Sequence, residues 1–257
     1  MSVTESAGLN SNNKRTVHCG VSTNMYAAES ERESRVKVRR SDGTLAPPRR
    51  TRFLYDLVAP FYPISSRLFH ARAHARTLEL LKIQDGSSVL EVAIGSGEMF
   101  QRLVRANPDG QTIGVDFSAN MAAQSQAKIR QTHAGVDAHC PCTDARQLPF
   151  RDDSFDALVC CYLFELLSEA HMLEAMDEMG RVLKPGGRLG LILVAQSESA
   201  FNLLYRTCTL VAPAFWGRQV SSVMPDLLRS RDFEIETATK IRQLYFHSRI
   251  LVAKKLA

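Results

Sequence analysis

The stretch Ser88-Val-Leu-Glu-Val-Ala-Ile-Gly-Ser-Gly-Glu-Met-Phe100 decides the fold. Val89 to Ile94 is short, mostly apolar and rich in β-branched residues, which is typical of a buried parallel strand. Gly95-Ser-Gly97 interrupts that run, and apolar residues then resume at helical spacing. A strand, a glycine turn and a helix in this order predict a doubly wound α/β sheet. Because ligands of such sheets bind at the carboxyl ends of the strands, the turn is the expected binding site.

Two acidic residues lie where a ligand containing a ribose would need them. Glu91 stands within the strand, and Asp116 ends the next apolar run, about 20 residues beyond Gly95. An acid at the end of the second strand is placed to accept two hydrogen bonds from a ribose diol. Gly95 and Gly97 lack Cβ atoms, so a ligand can approach the backbone closely at the turn.

Two other residues argue against a dinucleotide as the ligand. The dinucleotide fingerprint G-x-G-x-x-G has a third glycine for close helix packing, and Phe100 occupies that place. Pyrophosphate favours a bare helix N-terminus, where Glu98 would repel it. A ligand with a ribose, no phosphate and a cationic end fits better, and S-adenosylmethionine has that chemistry. A dinucleotide-dependent oxidoreductase is the alternative, and tight binding of NADH would favour it.

Five segments resemble the motifs of the class I S-adenosylmethionine-dependent methyltransferases, in the order in which that family has them. They are Glu91-Val-Ala-Ile-Gly-Ser-Gly97, Gly114-Val-Asp-Phe-Ser-Ala-Asn-Met121, Asp144-Ala-Arg-Gln-Leu-Pro-Phe150, Phe155-Asp-Ala-Leu-Val159 and Val182-Leu-Lys-Pro-Gly-Gly-Arg-Leu189. The glycine turn alone would be a weak signal, whereas five ordered motifs are specific. The resemblance implies a Rossmann-like α/β sheet of seven strands, mostly parallel, with one antiparallel strand near the C-terminus.

The start of the domain resembles one group of that family, the ubiquinone/menaquinone biosynthesis (type 11) methyltransferases. Tyr55-Asp56, Ala59 and Tyr62 match the group's Tyr-Asp-x-x-Ala-x-x-Tyr-Asp pattern, except that Pro63 replaces the second Asp. The resemblance implies an enzyme that uses S-adenosyl-L-methionine to methylate a small, lipophilic acceptor. A quinone precursor and an amino-lipid are both open as acceptors, and the pattern does not choose among N, O and C.

The resemblance also implies which residues contact the cofactor. These are Glu91, Ala93, Gly95, Ser96, Gly97, Asp116, Phe117, Met121, Asp144, Ala145 and Cys161. The methionine end would lie at the glycine turn, Asp116 would hold the ribose, and Asp144 would accept from the adenine amino group. Phe117 and Met121 either pack near the adenine or belong to the ordinary core. Ala93 stands where the family usually has glycine, and it is the one motif residue that hints at a non-catalytic cofactor-binding module.

No side chain is singled out as catalytic. Methyl transfer from a sulfonium needs alignment of donor and acceptor more than a nucleophile. Glu165 is interpreted either as a helix-start carboxylate or as a general base at the pocket. His70 and His74 are four residues apart among several arginines, which predicts a solvated basic face rather than a metal pair. The six cysteines lack the C-x₂₋₄-C spacing of zinc sites, so no metal is expected.

Composition limits the class of protein. A chain of 257 residues with 45% hydrophobic content can form one domain with a sizeable core, and no apolar run approaches the ~18 residues of a membrane helix. Residues 1–50 contain nine Lys or Arg and five Asp or Glu, which accounts for +4 of the net charge of +5. They predict a disordered basic tail, followed by a methyltransferase domain over residues 51–257.

The placement of charge bears on partners and location. Because the excess charge lies in the tail, the domain is not expected to bind nucleic acid. Weak contact of the tail with an anionic membrane surface is an open interpretation. The chain shows no secretory signal, which predicts a cytoplasmic location, and targeting of an organelle by the tail is the alternative. Residues 198–231 are apolar and aromatic, with Phe215 and Trp216, and form either a helix packed on the sheet or a lid over an apolar pocket.

Overall fold

A computed structural model describes residues 62–195, 220–243 and 246–257. Within these residues the strands are β1 (Ser88–Val92), β2 (Gln111–Val115), β3 (Ala138–His139), β4 (Phe155–Cys161), β5 (Leu183–Val194), β6 (Phe233–Gln243) and β7 (Phe246–Lys255). The α-helices are α1 (Tyr62–Leu81), α2 (Glu98–Ala106), α3 (Ala119–Thr132), α4 (Glu169–Val182) and α5 (Met224–Arg229). A 3₁₀ turn over Phe164–Leu166 follows β4.

The strands form one seven-stranded sheet in the order β3-β2-β1-β4-β5-β7-β6. β1 pairs in parallel with β2 and β4, and β4 pairs in parallel with β5. β7 runs antiparallel to both β5 and β6. The predicted fold, a mostly parallel sheet with one antiparallel strand near the C-terminus, is confirmed. The strand order reverses between β1 and β4, and this switch point opens a crevice at the carboxyl edge of the sheet.

Alternation along β1 assigns its side chains to the two faces of the sheet. Leu90 and Val92 pack on the face that α4 covers, where Met176 and Met179 of α4 are fully buried. Val89 packs on the other face, against Ala73 of α1. Since side chains in a strand alternate between faces, Glu91 shares the face of Val89 and points toward α1.

Phe100 and Gly114 explain how α2 packs closely without the third glycine of a dinucleotide fold. Phe100 is fully buried in a cluster with Ile94 and Val104. A Cβ on Gly114 would lie 2.6 Å from Ile94 Cγ2 and 2.8 Å from Phe100 Cδ2. The space that a glycine on the helix would leave is therefore provided by a glycine on β2 instead.

Two local predictions are wrong in their bounds. The sequence predicts a third strand over Val136–Cys142, but β3 covers only Ala138–His139. Pro141 has no N–H to continue the ladder, and only an isolated bridge between Asp116 and Cys142 follows. The turn Pro185-Gly186-Gly187 is predicted to end α4, yet α4 ends at Val182 and the turn lies inside β5.

Several predictions fall outside the described residues. These are the basic tail, the domain boundary at residue 50, Tyr55, and the interpretations of Phe215 and Trp216. Of the segment 198–231, the described end contains α5, which buries Met224 and Leu228 in the core. Within the described parts of the chain, no helix combines the length and apolar character needed to cross a bilayer.

Candidate functional site

The glycine turn joins β1 to α2 through a series of left-handed residues. Ala93, Gly95 and Gly97 have φ values of 64°, 50° and 76°. A Cβ on Gly97 would lie 2.6 Å from Ser125 Oγ, so that position requires glycine for both conformation and space. Ala93 adopts the same region with its Cβ in place, at a cost of roughly 1–2 kcal/mol for an L-residue. Ala93, which replaces the glycine of the family motif, is therefore strained, because it adopts a left-handed conformation that glycine adopts readily.

Asp116 ties the turn to the end of β2. Its Oδ2 accepts a hydrogen bond from Gly95 N and its Oδ1 accepts one from Ser118 N, both at 2.8 Å. Burial raises the pKa of Asp116, and the two backbone hydrogen bonds oppose that rise. Each carboxylate oxygen can accept a further hydrogen bond. Asp116 can therefore hold the turn closed and still accept from a ribose diol.

Helix α3 supports the turn from behind. Ser125 Oγ donates to Gly95 O at 3.3 Å, and Lys128 Nζ donates to Ser96 O at 2.8 Å. Sequence reasoning missed both residues. The available signal was that Ser125 interrupts the buried apolar stripe of α3 between Ala122 and Ile129. A polar residue in such a stripe indicates a buried hydrogen bond.

An open cleft lies beside the turn. Five of the residues predicted to contact the cofactor line it: Glu91, Ala93, Gly95, Ser96 and Cys161. The structure thus brings the first motif and the end of β4 together in one place. Gly97 adjoins this group as the residue before α2, and Asp116 adjoins it through its hydrogen bond to Gly95.

The predicted adenine-side residues lie outside the described lining of the cleft. Phe117 is 51% exposed, and Met121 lies in the first turn of α3 with its N–H bonded to Ser118 Oγ. The Asp144 carboxylate is paired with Arg146, whose Nη2 lies 2.6 Å from Asp144 Oδ2. Ala145 packs partly buried against the core. These positions are compatible with an adenine site next to the ribose, and their roles stay predictions.

Carboxyl groups dominate the charge of the cleft. Glu91 is 1% exposed, and burial, followed by the charge of Asp116, raises its pKa well above the ordinary value. Its Oε2 has no hydrogen-bond partner among the described residues. Glu98 lines the same cleft, and its described lining contains no Lys or Arg. Such a surface favours a cationic ligand and disfavours phosphate.

Two histidines of α1 form part of the cleft, and the prediction of a solvated basic face is wrong for them. His74 is 4% exposed, and the His70 ring lies 4.3 Å from the Tyr162 ring. Burial lowers the pKa of His70 to about 4 and that of His74 to about 3, so both imidazoles are neutral near pH 7. Within the described residues, no group of three or more His, Cys, Asp or Glu is placed to hold a metal ion.

The helical spacing explains the error. His70 and His74 share a face of α1 with Ala73, Thr77 and Leu81, which pack on the sheet. The sequence does not show this face as an apolar stripe, because four of its five members are polar or small. The prediction of a basic face came instead from the neighbouring arginines, Arg72 and Arg76.

Tyr162, which sequence reasoning also missed, follows β4 at the edge of the cleft. It has a φ of 54°, and its hydroxyl lies 2.7 Å from the hydroxyl of Ser248 on β7. Its N–H donates to Ile192 O at 2.8 Å. A non-glycine residue in this region is uncommon and marks a position fixed by its surroundings.

Glu165 does not line the described cleft. It is 3% exposed in the 3₁₀ turn after β4, and its Oε1 accepts from Val194 N at 2.7 Å. Its Oε2 has no partner among the described residues, and burial raises its pKa to about 7. The carboxyl group joins the end of β4 to the end of β5, which neither sequence interpretation anticipated.

S-adenosylmethionine fits the site on observed features. The unpartnered carboxyl group of Glu91 needs a donor or a cation, and the cofactor's ammonium can supply both. Asp116 has acceptor capacity for a ribose diol, and the glycine turn leaves the backbone open. No phosphate group has to be accommodated beside Glu91 and Glu98.

Comparisons with known proteins agree with this chemistry. Residues 89–187 match the family model of a methyltransferase domain. The demethylmenaquinone methyltransferase of Listeria welshimeri is 29% identical over 174 residues, covering 63% of this chain and 70% of that protein. The ubiquinone/menaquinone biosynthesis C-methyltransferase UbiE of Pseudomonas aeruginosa is 32% identical over 158 residues, covering 59% of each.

Solved structures share the architecture. The [4+2]-cyclase SpnF superposes with a TM-score of 0.61 at 23% identity, covering 72% of this chain and 80% of that one. An S-adenosylmethionine-dependent methyltransferase from Aquifex aeolicus has a TM-score of 0.59 at 17% identity, covering 82% and 100%. At these identities the likeness shows the fold alone.

Proposed function

We propose that this chain, which is a class I S-adenosylmethionine-dependent methyltransferase, methylates a ring carbon of a small, lipophilic quinone precursor. The observation that carries the proposal is the cleft at the glycine turn, with its carboxyl groups and neutral histidines. It supports a cationic cofactor. The acceptor is inferred from the two relatives, one named for demethylmenaquinone and one as a quinone-biosynthesis C-methyltransferase.

The chain's own residues would form three subsites, one each for the methionine, ribose and adenine parts of the cofactor. Glu91, Ala93, Gly95, Ser96, Gly97 and Cys161 would surround the methionine end. Asp116 would accept from the ribose hydroxyls through the lone pairs that Gly95 and Ser118 leave free. Phe117, Met121, Asp144 and Ala145 would hold the adenine. When bound, S-adenosylmethionine supplies a methyl group on a positively charged sulfur.

The work left to the protein is alignment and exclusion of water. Positioning the reacting groups can supply a large part of the rate. Tyr162 is suited to shape the cleft, because its backbone, its hydroxyl and its ring are each held by a different neighbour: Ile192, Ser248 and His70. No dedicated nucleophile is required by this chemistry.

Other functions fit the site less well. A dinucleotide would place its pyrophosphate near Glu98 and would meet Phe100 where its fold has glycine. A non-catalytic module is not favoured by Ala93, because the structure accommodates this residue in the left-handed turn. An amino-lipid is the second acceptor class, since it too is lipophilic.

Location and partners belong to the same proposal. We expect a cytoplasmic enzyme that binds no nucleic acid, with the basic residues 1–50 in weak contact with an anionic membrane surface. Such contact would bring the enzyme to an acceptor dissolved in the bilayer.

The test uses the full chain with S-adenosylmethionine that carries a deuterated methyl group. Vesicles contain demethylmenaquinone and phosphatidylethanolamine together, and both lipids are analysed by mass spectrometry. We expect the deuterated methyl group in the quinone, and less of it with Asp116→Ala at the same subsaturating cofactor concentration. Label in the amino-lipid alone would assign the second acceptor class. Label in neither, with binding of S-adenosylhomocysteine intact, would exclude both acceptors.

A further inference from the structure

Two buried polar side chains in the cleft lack partners. His74 Nδ1 and Glu91 Oε2 have no hydrogen-bond partner among the described residues. Their side chains are 4% and 1% exposed, and both line the cleft beside the glycine turn. A buried polar group without a partner costs free energy. Because both unpartnered atoms belong to residues that line the same cleft, we infer that a bound ligand supplies a hydrogen-bond partner to each.

The two groups have complementary needs. The Glu91 carboxylate can accept a hydrogen bond from a donor or pair with a cation, whereas a neutral imidazole can donate a hydrogen bond through one of its nitrogens. Burial lowers the pKa of His74 to about 3, which keeps this imidazole neutral and able to serve as donor through either ring nitrogen after tautomer exchange. A zwitterion, with an ammonium beside a carboxylate, satisfies both groups at once.

The carboxylate of the cofactor would otherwise be poorly placed. Once the cofactor's ammonium lies beside Glu91 it favours the charged form of that carboxyl group, so the cofactor's own carboxylate would meet like charge at Glu91 and Glu98. Besides the weakly donating thiol of Cys161, the donor side chains of the described lining are those of His70, His74, Ser96 and Tyr162. The Tyr162 hydroxyl already pairs with Ser248. His74 is 4% exposed, and its Nδ1 has no partner among the described residues, which makes it the best placed of the four to donate to a carboxylate.

We propose that His74 donates a hydrogen bond to the carboxylate of the cofactor's amino-acid end while Glu91 accepts from its ammonium. This inference rests on S-adenosylmethionine as the cofactor and assigns a specificity role to helix α1. The chain then selects ligands with an intact amino-acid end over those without a carboxylate.

Calorimetry with three probes tests the assignment. S-adenosylhomocysteine has the whole amino-acid end, its decarboxylated analogue lacks only the carboxylate, and 5′-methylthioadenosine lacks the entire end. The variants are His74→Leu, which removes the donor, and His74→Gln, which keeps one. Thr77→Val is the matched control, because Thr77 is buried on the same helix outside the described lining of the cleft, and its hydroxyl donates to Ala73 O at 2.8 Å.

We expect the wild-type chain to bind S-adenosylhomocysteine about 10–100-fold more tightly than the decarboxylated analogue. His74→Leu should lose that preference and bind the other two probes as the wild type does. His74→Gln should keep most of it, and Thr77→Val should keep all of it.

Three outcomes would overturn the proposal. If the wild type binds S-adenosylhomocysteine and the decarboxylated analogue equally, no carboxylate contact exists, whatever the variants do. If His74→Leu weakens all three probes alike, His74 is a packing residue. If the wild type binds none of the probes, the cofactor assignment itself is wrong, which is a result distinct from the other two.

Discussion

Replacing Glu165 by glutamine should change how stability depends on pH. The carboxyl group is 3% exposed and accepts a backbone hydrogen bond from Val194 N at 2.7 Å. Burial outweighs the backbone hydrogen bonds from Val194 and from Glu165 itself and raises the pKa from 4.5 to about 7 in the folded chain. Glutamine has nearly the same shape, keeps an oxygen for Val194 N and carries no charge at any pH.

The sign follows from proton binding. Between pH 4.5 and about 7, the unfolded chain releases the proton of Glu165 while the folded chain retains it. The folded state then binds more protons than the unfolded state, so stability falls as pH rises. Each unit between the two pKa values is worth about 1.4 kcal/mol, so the loss reaches about 3 kcal/mol above about pH 7.

The assay is urea unfolding of wild type and Glu165→Gln at a series of pH values, without cofactor. The difference in free energy of unfolding should be small near pH 4.5 and should grow by about 3 kcal/mol in favour of the variant above about pH 7. Glu234→Gln is the control, because Glu234 is exposed on β6. Its profile should parallel that of the wild type.

A difference between wild type and Glu165→Gln that does not vary with pH would refute the reasoning. So would a variant that loses stability relative to the wild type as pH rises. Either result would mean that the Glu165 carboxylate is stabilised in the folded chain, by more than its bond to Val194.

Three further substitutions test the glycine turn and its clamp. Ala93→Gly should raise the free energy of unfolding by about 1 kcal/mol in urea, because relief of left-handed strain exceeds the added freedom of the unfolded chain; a loss of stability would contradict the strain. Gly97→Ala should lower the free energy of unfolding by about 2 kcal/mol, because left-handed strain at the new alanine adds to a close contact of its Cβ with Ser125 Oγ. Adding Ser125→Ala to that variant should restore part of the lost stability, because it removes the contact. Asp116→Ala should weaken calorimetric binding of S-adenosylhomocysteine by about 1.5–3 kcal/mol, and an unchanged affinity would make the ribose assignment wrong.

The parts of the site that sequence predicted are those that depend on local pattern. The β-branched run before Gly95 predicts a strand, and the positions of Glu91 and Asp116 relative to that strand follow from the topology of a parallel sheet. These features need only a few neighbouring residues to be recognised.

The parts that sequence missed depend on contacts distant in the chain. His74 and Glu91 meet at one cleft only because α1 packs across β1, and the pairing of Tyr162 with Ser248 requires β7 to lie beside β5. The pattern of α1 gave a misleading signal, since arginines flank its buried histidines. Glu165 could not be placed from sequence because its partner, Val194, lies at the far end of another strand.

The proposed function requires the cleft at the glycine turn to hold a cationic cofactor that has no phosphate. Calorimetric titration of the full chain with S-adenosylmethionine and, separately, with NADH tests it most directly. The account predicts saturable binding of S-adenosylmethionine that Asp116→Ala weakens, and no measurable heat with NADH. Tight binding of NADH with no binding of S-adenosylmethionine would contradict it.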